Sequence, residues 1–195
     1  MSKSIALQRL YEQYKADFAS EEIVTGDGNA DSGLLLIGEA PGKDEVMQGK
    51  PFVGTAGRNL AEFLDIIGLT RESIYITNAI KYRLSKVSPK TGSVSNRPAM
   101  ADDINKSREY LLKEIGIIKP QYIVTLGNVP LRAVTGDKSA SIGELHGSLK
   151  PVYIGEIEYK LFPLYHPASI IYNKSLKEVY LQDIKKLKDE IMTAK

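Results

Sequence analysis

A chain of 195 residues with 43% hydrophobic and 26% charged residues has the composition of an ordinary globular domain, which excludes disordered and fibrous classes. The complete lack of cysteine excludes disulfide scaffolds, cysteine nucleophiles, thiolate zinc sites and cysteine-ligated iron–sulfur clusters. No apolar run approaches the roughly 20 residues of a membrane span, and residues 1–18 lack the apolar core of a secretory signal. We therefore expect a cytoplasmic protein that forms one domain over residues 1–195.

Hydrophobic spacing predicts the elements of the first half of the chain. Apolar residues at helical spacing predict a helix over residues 4–18, and the apolar run at 34–38 predicts a strand buried on both faces. The stretch 40–57 is rich in Gly and Pro and is expected to form a long functional loop. A helix over 58–67 and a strand over 74–78 follow.

The second half continues the alternation of helices and strands. Pro98 is expected to open a helix over 98–115, and residues 122–127 to form a third buried strand. A short helix over 129–134, a hairpin over 152–164 and a final helix over 174–192 complete the chain. This order predicts an α/β fold, a three-layer α/β/α sandwich around a central, mainly parallel four-stranded sheet.

Polar or Gly-rich segments follow three of the predicted strands, at the edge of the sheet where ligands bind. They are GEAPG at 38–42, TNAIK at 77–81 and YHPAS at 165–169. Chemistry is expected at these strand ends.

Basic residues gather in one segment although the net charge is only +2. Between Lys81 and Arg97 the chain has five basic residues and no acidic one. Charge alone fits a solvated surface loop best, with a loop that follows a phosphate backbone as the alternative.

Residues 38–60, GEAPGKDEVMQGKPFVGTAGRNL, resemble the first signature of the family 4 uracil-DNA glycosylases. That signature has GEAPG, two variable residues, an acid and then G-x-PFVG-x-AG, and the order and spacing are matched here. ITNAIK at 76–81, KPQYIVTLG at 119–127 and HPAS at 166–169 are similar to further segments of the family. The resemblance covers residues 20–190 and implies a uracil-DNA glycosylase fold with DNA as the partner.

The resemblance also implies a DNA repair enzyme that flips uracil out of DNA and hydrolyses its N-glycosidic bond. Cleavage of this bond places negative charge on the departing base, and His166 would stabilise that charge at uracil O2. Asn78 would pair with the O4 and N3 edge and reject cytosine, while Phe52 would stack on the base. Glu39 would position water or balance the sugar cation, and Glu45 would exclude the methyl group of thymine.

The remaining implied contacts belong to the base pocket and to the DNA backbone. Ile170 matches the apolar residue that fills the gap left by the flipped base, with burial beneath the final helix as the alternative. In the light of the resemblance, the basic segment is better explained as a DNA contact. The substrate pocket would include Gly38, Ala40 and Gly42, and the DNA contacts Lys81, Arg83, Lys86, Lys90 and Ser169.

The chain departs from the family at its iron–sulfur cluster. Family 4 members carry four cysteines that hold a [4Fe–4S] cluster, whereas Tyr82 and Ser107 stand at two of these places and residues 6–18 replace the N-terminal pair. We expect no iron and no other cofactor. Tyr82 and the N-terminal helix are expected to fill the vacated space by packing.

A related branch becomes covalently linked to DNA through a histidine in an insertion after the same lysine. Neither His146 nor His166 lies between Tyr82 and Arg97, so covalent capture is not expected. His146 stands where relatives often have Arg-Gly, and a phosphate contact and a surface or capping role are both open.

Three functions compete. The first is a monofunctional, monomeric uracil-DNA glycosylase without a cofactor. The second is a catalytically silent DNA-binding module associated with a polymerase or repair protein, suggested by the lost cluster and by Ala40, where other glycosylase families have an acidic residue. A nucleotide-binding domain is disfavoured because neither a P-loop nor G-x-G-x-x-G occurs.

Overall fold

The structure, a computed structural model, describes residues 2–173 and 175–193, and it describes residues 170–172 by their backbone alone. The strands are β1 (Asp27–Gly28), β2 (Leu34–Gly38), β3 (Tyr75–Asn78), β4 (Ser85–Val87), β5 (Val94–Asn96), β6 (Tyr122–Leu126), β7 (Lys150–Ile154) and β8 (Ile157–Leu164). Six of them form one mixed sheet in the order β1-β3-β2-β6-β8-β7, and β4 and β5 form a separate hairpin.

The described part of the chain has eight α-helices and one short 3₁₀ turn at Arg71–Ser73. Within the described residues, no helix is both long enough and apolar enough to cross a membrane. The helices are α1 (Lys3–Asp17), α2 (Lys43–Gln48), α3 (Thr55–Ile67), α4 (Ala101–Ile118), α5 (Asn128–Thr135), α6 (Ile142–Leu145), α7 (Pro167–Tyr172) and α8 (Leu176–Thr193).

Two hydrophobic cores pack on opposite faces of the sheet. Leu35 and Ile37 of β2 face α1, α4 and α5, whereas Leu34 and Leu36 face α3 and α8. None of these four side chains is more than 5% exposed. Because alternate residues of a strand point to opposite faces, only a continuous apolar run can serve both cores. The three-layer α/β/α prediction is confirmed.

The number of strands in the sheet was predicted too low. The four central strands β3, β2, β6 and β8 do pair in parallel, but β1 and β7 add antiparallel edges. The predicted hairpin contains β7, which was not counted in the sheet. The two residues of β1, Asp27 and Gly28, have turn character, and pairing with Ile76 and Tyr75 makes them a strand.

Three predicted loops contain regular structure. The stretch 40–57 holds α2 and the first residues of α3, which begins at Thr55. The basic segment contains the β4–β5 hairpin, and residues 167–172 form α7. None of the α2 side chains is buried, so this helix leaves no hydrophobic pattern in the sequence.

Aromatic rings pack around Tyr82, one of the positions at which the resemblance implies a cluster cysteine. Phe18 stacks on Tyr14, with ring centroids 4.4 Å apart, and on Tyr82 at 5.3 Å. The edge of Tyr110 meets Tyr14 at 4.9 Å. Ser107 is buried, and its hydroxyl pairs with that of Tyr14 at 3.0 Å. The predicted packing of Tyr82 with the N-terminal helix is confirmed, and these residues do not fit a cluster that needs four thiolates.

A polar network joins this aromatic cluster (Tyr14, Phe18, Tyr82 and Tyr110) to the β4–β5 hairpin. Tyr82 donates to the Asp103 carboxylate at 2.8 Å. Arg97, which follows β5, donates to both Asp103 oxygens at 2.7 and 2.9 Å. This guanidinium holds the pKa of Asp103 well below its usual range. Side-chain packing and hydrogen bonds therefore fix α4 and the hairpin to each other.

We expect the purified protein to be colourless, and a strong chelator to leave its melting temperature unchanged. The physical reason is that packed rings and paired hydroxyls, rather than a metal, connect α1, Tyr82 and α4. Iron analysis, visible absorbance and thermal melts with and without chelator check this. Stoichiometric iron with a cluster absorbance band and a lower melting temperature after chelation would contradict it.

Candidate active site

The carboxyl ends of the parallel strands open into a cavity of about 340 Å³. This volume falls within the about 300–1,000 Å³ typical of small-molecule sites. The cavity brings together residues from the loop after β2, the end of β3 and the segment after β8. Among the residues predicted from the sequence, it is lined by Ala40, Gly42, Glu45, Phe52, Asn78 and His166.

Asn78 is the last residue of β3 and is 3% exposed. Its side-chain amide makes no hydrogen bond to any other residue that the structure describes, so both amide atoms can serve a ligand in the cavity. Gly38, the last residue of β2, lies beside it. A Cβ at Gly38 would collide with Asn78 Oδ1 and with the Phe52 ring. A glycine is therefore required for the amide and the ring to meet.

Phe52 lies in a backbone conformation that L residues rarely adopt, with φ of 54°. The surrounding contacts maintain this strain. Arg71 donates to the carbonyls of Pro51 and Phe52, and a Cβ at Gly57 would collide with the Phe52 carbonyl. The ring is thereby held against the cavity, roughly parallel to the His166 ring, with centroids 6.3 Å apart.

Glu45 fixes the same loop from its other side. Its carboxylate accepts from the backbone amides of Gly42 at 3.1 Å, Val53 at 3.1 Å and Gly54 at 2.8 Å. Three amide donors on one carboxylate make a strong clamp between α2 and the loop that carries Phe52. The role of excluding the methyl group of thymine stays a prediction.

His166 follows β8 and caps the N-terminus of α7. Its Nδ1 accepts from the Ala168 amide at 3.1 Å, which leaves the proton of the neutral ring on Nε2. Burial lowers the pKa of His166 to about 4, so the ring is neutral at pH 7. The Ser169 hydroxyl donates to the His166 carbonyl and steadies the cap. His166 thus presents one N–H donor and carries no charge.

Glu39 lies in an adjoining cavity of about 200 Å³ that also includes Ala40, Gly42 and His166. Burial raises the pKa of Glu39, and a hydrogen bond from the Ala99 amide opposes this shift. The carboxylate and the imidazole therefore line the same cavity.

The predicted DNA contacts divide into exposed and buried residues. Lys86 and Lys90 are exposed on and beside β4, as predicted for a backbone contact. The assignment of Lys81 is corrected: its side chain is 1% exposed and forms an ion pair with Glu114. The Arg83 side chain is 10% exposed and lies 3.5 Å from Glu22. Ile170 lies in α7, and its side chain is outside the described residues.

Two residues that support the site, Arg71 and Glu114, were missed from the sequence. Arg71 acts on carbonyls about twenty positions away, and no local pattern signals this. Glu114 could have been found, because it lies between Leu111 and Ile115 on the apolar stripe of α4. A carboxylate at such a position requires a buried partner.

The fold and this site define an α/β/α protein with a cavity at the carboxyl ends of its parallel strands. The model of the uracil DNA glycosylase superfamily matches residues 25–188, and the chain belongs to this superfamily. Its sequence is 36% identical over 172 residues to the type-4 uracil-DNA glycosylase of Saccharolobus solfataricus, covering 86% of this chain and 76% of that protein.

Two further relatives extend the comparison. The type-4 uracil-DNA glycosylase of Thermotoga maritima is 34% identical over 171 residues, which are 87% of this chain and 83% of that protein. A DNA polymerase of Bacillus phage SP01 is 28% identical over 161 residues, which are 82% of this chain but only 16% of the polymerase.

Proposed function

We propose that this protein is a monofunctional uracil-DNA glycosylase that hydrolyses the bond between uracil and deoxyribose without a cofactor. One observation carries the proposal: the open amide of Asn78, the Nε2–H of neutral His166 and the Phe52 ring converge on a single cavity. Each of these groups matches one feature of a flipped uracil. The type-4 uracil-DNA glycosylases among the relatives support the same conclusion.

Asn78 reads the base by its hydrogen-bonding edge. Its amide N–H donates to uracil O4, and its Oδ1 accepts from uracil N3–H. Cytosine has the opposite donor and acceptor at these two atoms, so it leaves buried polar groups unpaired and is rejected. Phe52 stacks on the base and holds it in the plane of the amide.

His166 lowers the barrier to bond cleavage. As the C1′–N1 bond breaks, its electron pair leaves with uracil and negative charge grows on O2. The neutral Nε2–H is a fixed donor for that charge and needs no reorganisation when the bond breaks. Glu39, which lines a cavity together with His166, positions water and balances the cationic sugar. The water oxygen adds to C1′, the proton that this water loses neutralises the uracil anion, and the products are free uracil and an abasic site.

Before excision, the uracil nucleotide must leave the DNA double helix, which costs about a few kcal/mol. The exposed lysines Lys86 and Lys90 contribute phosphate contacts that hold the DNA across the site. Ser169 lies in α7, three residues after His166, and we propose that it contacts the DNA strand. The role of Ile170 in filling the gap left by the flipped base stays a prediction.

Replacing Lys86 and Lys90 with Ala is expected to weaken binding to all DNA sequences alike. For each phosphate that the protein no longer neutralises, the slope of log affinity against log salt should flatten by about one unit. The measurement is a salt titration of fluorescence anisotropy with undamaged DNA. Lys106→Ala together with Lys113→Ala is the matched control, since both lysines are ion-paired on α4. Equal slopes for the two variants would exclude a role of the hairpin.

The second candidate is a catalytically silent DNA-binding module. Three observations favour it. Ala40 stands where other glycosylase families have an acidic residue, and the cysteines of the iron–sulfur cluster are absent. The chain is also similar to a short part of a phage DNA polymerase. Incubation with single- and double-stranded oligonucleotides that carry one uracil, followed by alkali, separates the two. The enzyme leaves a strand that breaks only after alkali, because no amine attacks the sugar. Intact strands despite tight DNA binding would establish the silent module.

The proposal includes the physical state of the protein. We propose that residues 1–195 act as a single domain and that the protein is a cytoplasmic monomer. Light scattering of the purified protein, alone and with DNA, tests the monomer directly.

A further inference from the structure

Lys81 and Glu114 form an ion pair inside the protein. Their side chains are 1% and 0% exposed, and Lys81 Nζ lies 2.7 Å from Glu114 Oε2. A buried pair of this kind is often no more stable than a pair of apolar side chains, because both charges lose their hydration. The pair is therefore poorly explained by stability alone.

The lysine reaches the backbone of the residue that reads the base. Lys81 Nζ donates to the Asn78 carbonyl at 3.0 Å, and the Ala79 amide donates to the Gly38 carbonyl at 2.8 Å. Both polar groups of the peptide unit between Asn78 and Ala79, the carbonyl and the amide, are thus hydrogen-bonded. Asn78 is the last residue of β3, so its carbonyl lies beyond the ladder of the sheet and needs another donor.

Glu114 of α4 holds the Lys81 ammonium group in place, and its carboxylate is itself hydrogen-bonded to residues of α1 and β3. Besides Lys81, its carboxylate accepts from Thr77 Oγ1 of β3 at 3.3 Å and from the hydroxyl of Tyr11 in α1. The Tyr11 hydroxyl also pairs with that of Tyr75 at 2.7 Å. The ammonium group therefore has one position, fixed by α1, β3 and α4.

We propose that Lys81 and Glu114 are positioning residues for base recognition, and that the pair sets the orientation of the Asn78 amide and thereby the choice of uracil over cytosine. The inference rests on the proposed function of Asn78. If the peptide unit between Asn78 and Ala79 rotates, the Asn78 side chain rotates relative to the base. Displacement of a reacting or recognising group by about 1 Å costs up to about a hundredfold in rate.

The test is the double variant Lys81→Met with Glu114→Gln, which removes both charges and leaves neither unpaired. We expect the single-turnover rate of uracil excision to fall about tenfold to a hundredfold. Affinity for undamaged DNA should stay unchanged, because neither side chain reaches the surface. Preference for uracil over cytosine should fall too, measured by binding of uncleavable 2′-fluorinated oligonucleotides. The control is Asp102→Asn with Lys106→Met, an exposed ion pair on the same helix, which should match the parent.

A double-mutant cycle separates positioning from a structural role. In an Asn78→Ala background the Lys81 and Glu114 changes should cause no further loss of rate or of base preference, because their effect passes through the Asn78 amide. A loss of the same size in both backgrounds would overturn the proposal. If the double variant does not fold, Glu114→Gln replaces it in the cycle, because Lys81 keeps its amino group and can still donate to the Asn78 carbonyl. A smaller loss that vanishes with Asn78→Ala is then expected, and an additive loss overturns the proposal.

The binding measurement also separates this inference from the proposed activity. A parent protein that prefers uracil in uncleavable DNA but releases no base contradicts the enzyme, while its base preference still tests the positioning residues. A parent that excises uracil, with the double variant equally fast and equally selective, contradicts the positioning role alone.

Discussion

The substitution His166→Ala is expected to reduce single-turnover excision of uracil about a hundred- to a thousandfold, with little change in DNA affinity. The Nε2–H of His166 acts on charge that develops only as the bond breaks, so it lowers the barrier without tightening the ground state. The measurement combines single-turnover kinetics, DNA affinity and melting temperature on the same variant.

A second substitution separates this role from the cap of α7. Aspartate is a good N-cap residue, so His166→Asp keeps an acceptor for the Ala168 amide but offers no N–H donor at pH 7. We expect His166→Asp to melt near the parent temperature and to excise as slowly as the alanine variant. Restored excision in His166→Asp would mean that capping, and not donation, is the contribution of His166.

The pH dependence of stability follows from the buried state of the same ring. Burial lowers the pKa of His166 to about 4 in the folded protein, against about 6.5 in the unfolded chain. The unfolded chain therefore binds a proton first, and stability is lost as the pH falls from about 6.5 to 4. Melting temperatures of the parent should fall through this window more steeply than those of His166→Ala. Parallel curves would contradict the buried neutral ring.

The substitution Asn78→Ala is expected to lower uracil excision at least about a hundredfold while binding to undamaged DNA is kept. A site built on hydrogen bonds loses its power steeply when one partner is removed, because the remaining polar groups go unpaired. Single-turnover rates and anisotropy measure the two effects. Asn105→Ala, an exposed asparagine of α4, is the matched control. Unchanged excision by Asn78→Ala would remove this residue from the site.

The sequence was sufficient to predict the parts of the fold that depend on local patterns. The buried strand at 34–38 and the final helix are evident from the spacing of their apolar residues. By contrast, β1 consists of an Asp and a Gly that become a strand only by pairing with β3, and α2 has no buried face. Such elements depend on tertiary contacts and leave no local signal.

The candidate site shows the same division between local and distant information. Six of the twelve residues that line the cavity were predicted, because they occur in short motifs that resemble those of the family. Lys81 was misassigned because its charge was counted in the sequence without its partner, Glu114, which lies on a distant helix. Arg71 was missed for a related reason, since it supports carbonyls of a loop that precedes it by a whole helix. Long-range pairs of this kind are not encoded in residue spacing.

The most direct test of the central claim is the base that the protein releases. Oligonucleotides containing uracil, hypoxanthine, xanthine, cytosine or thymine are incubated with the purified protein, and the free base is identified by mass spectrometry. The cavity formed by Asn78, His166 and Phe52 predicts free uracil in amounts equal to the uracil in the DNA, with no release of cytosine. Thymine has the same hydrogen-bonding edge as uracil, so its exclusion depends on the predicted role of Glu45. Tight binding of the uracil-containing DNA without release of any base would contradict the assignment as a glycosylase.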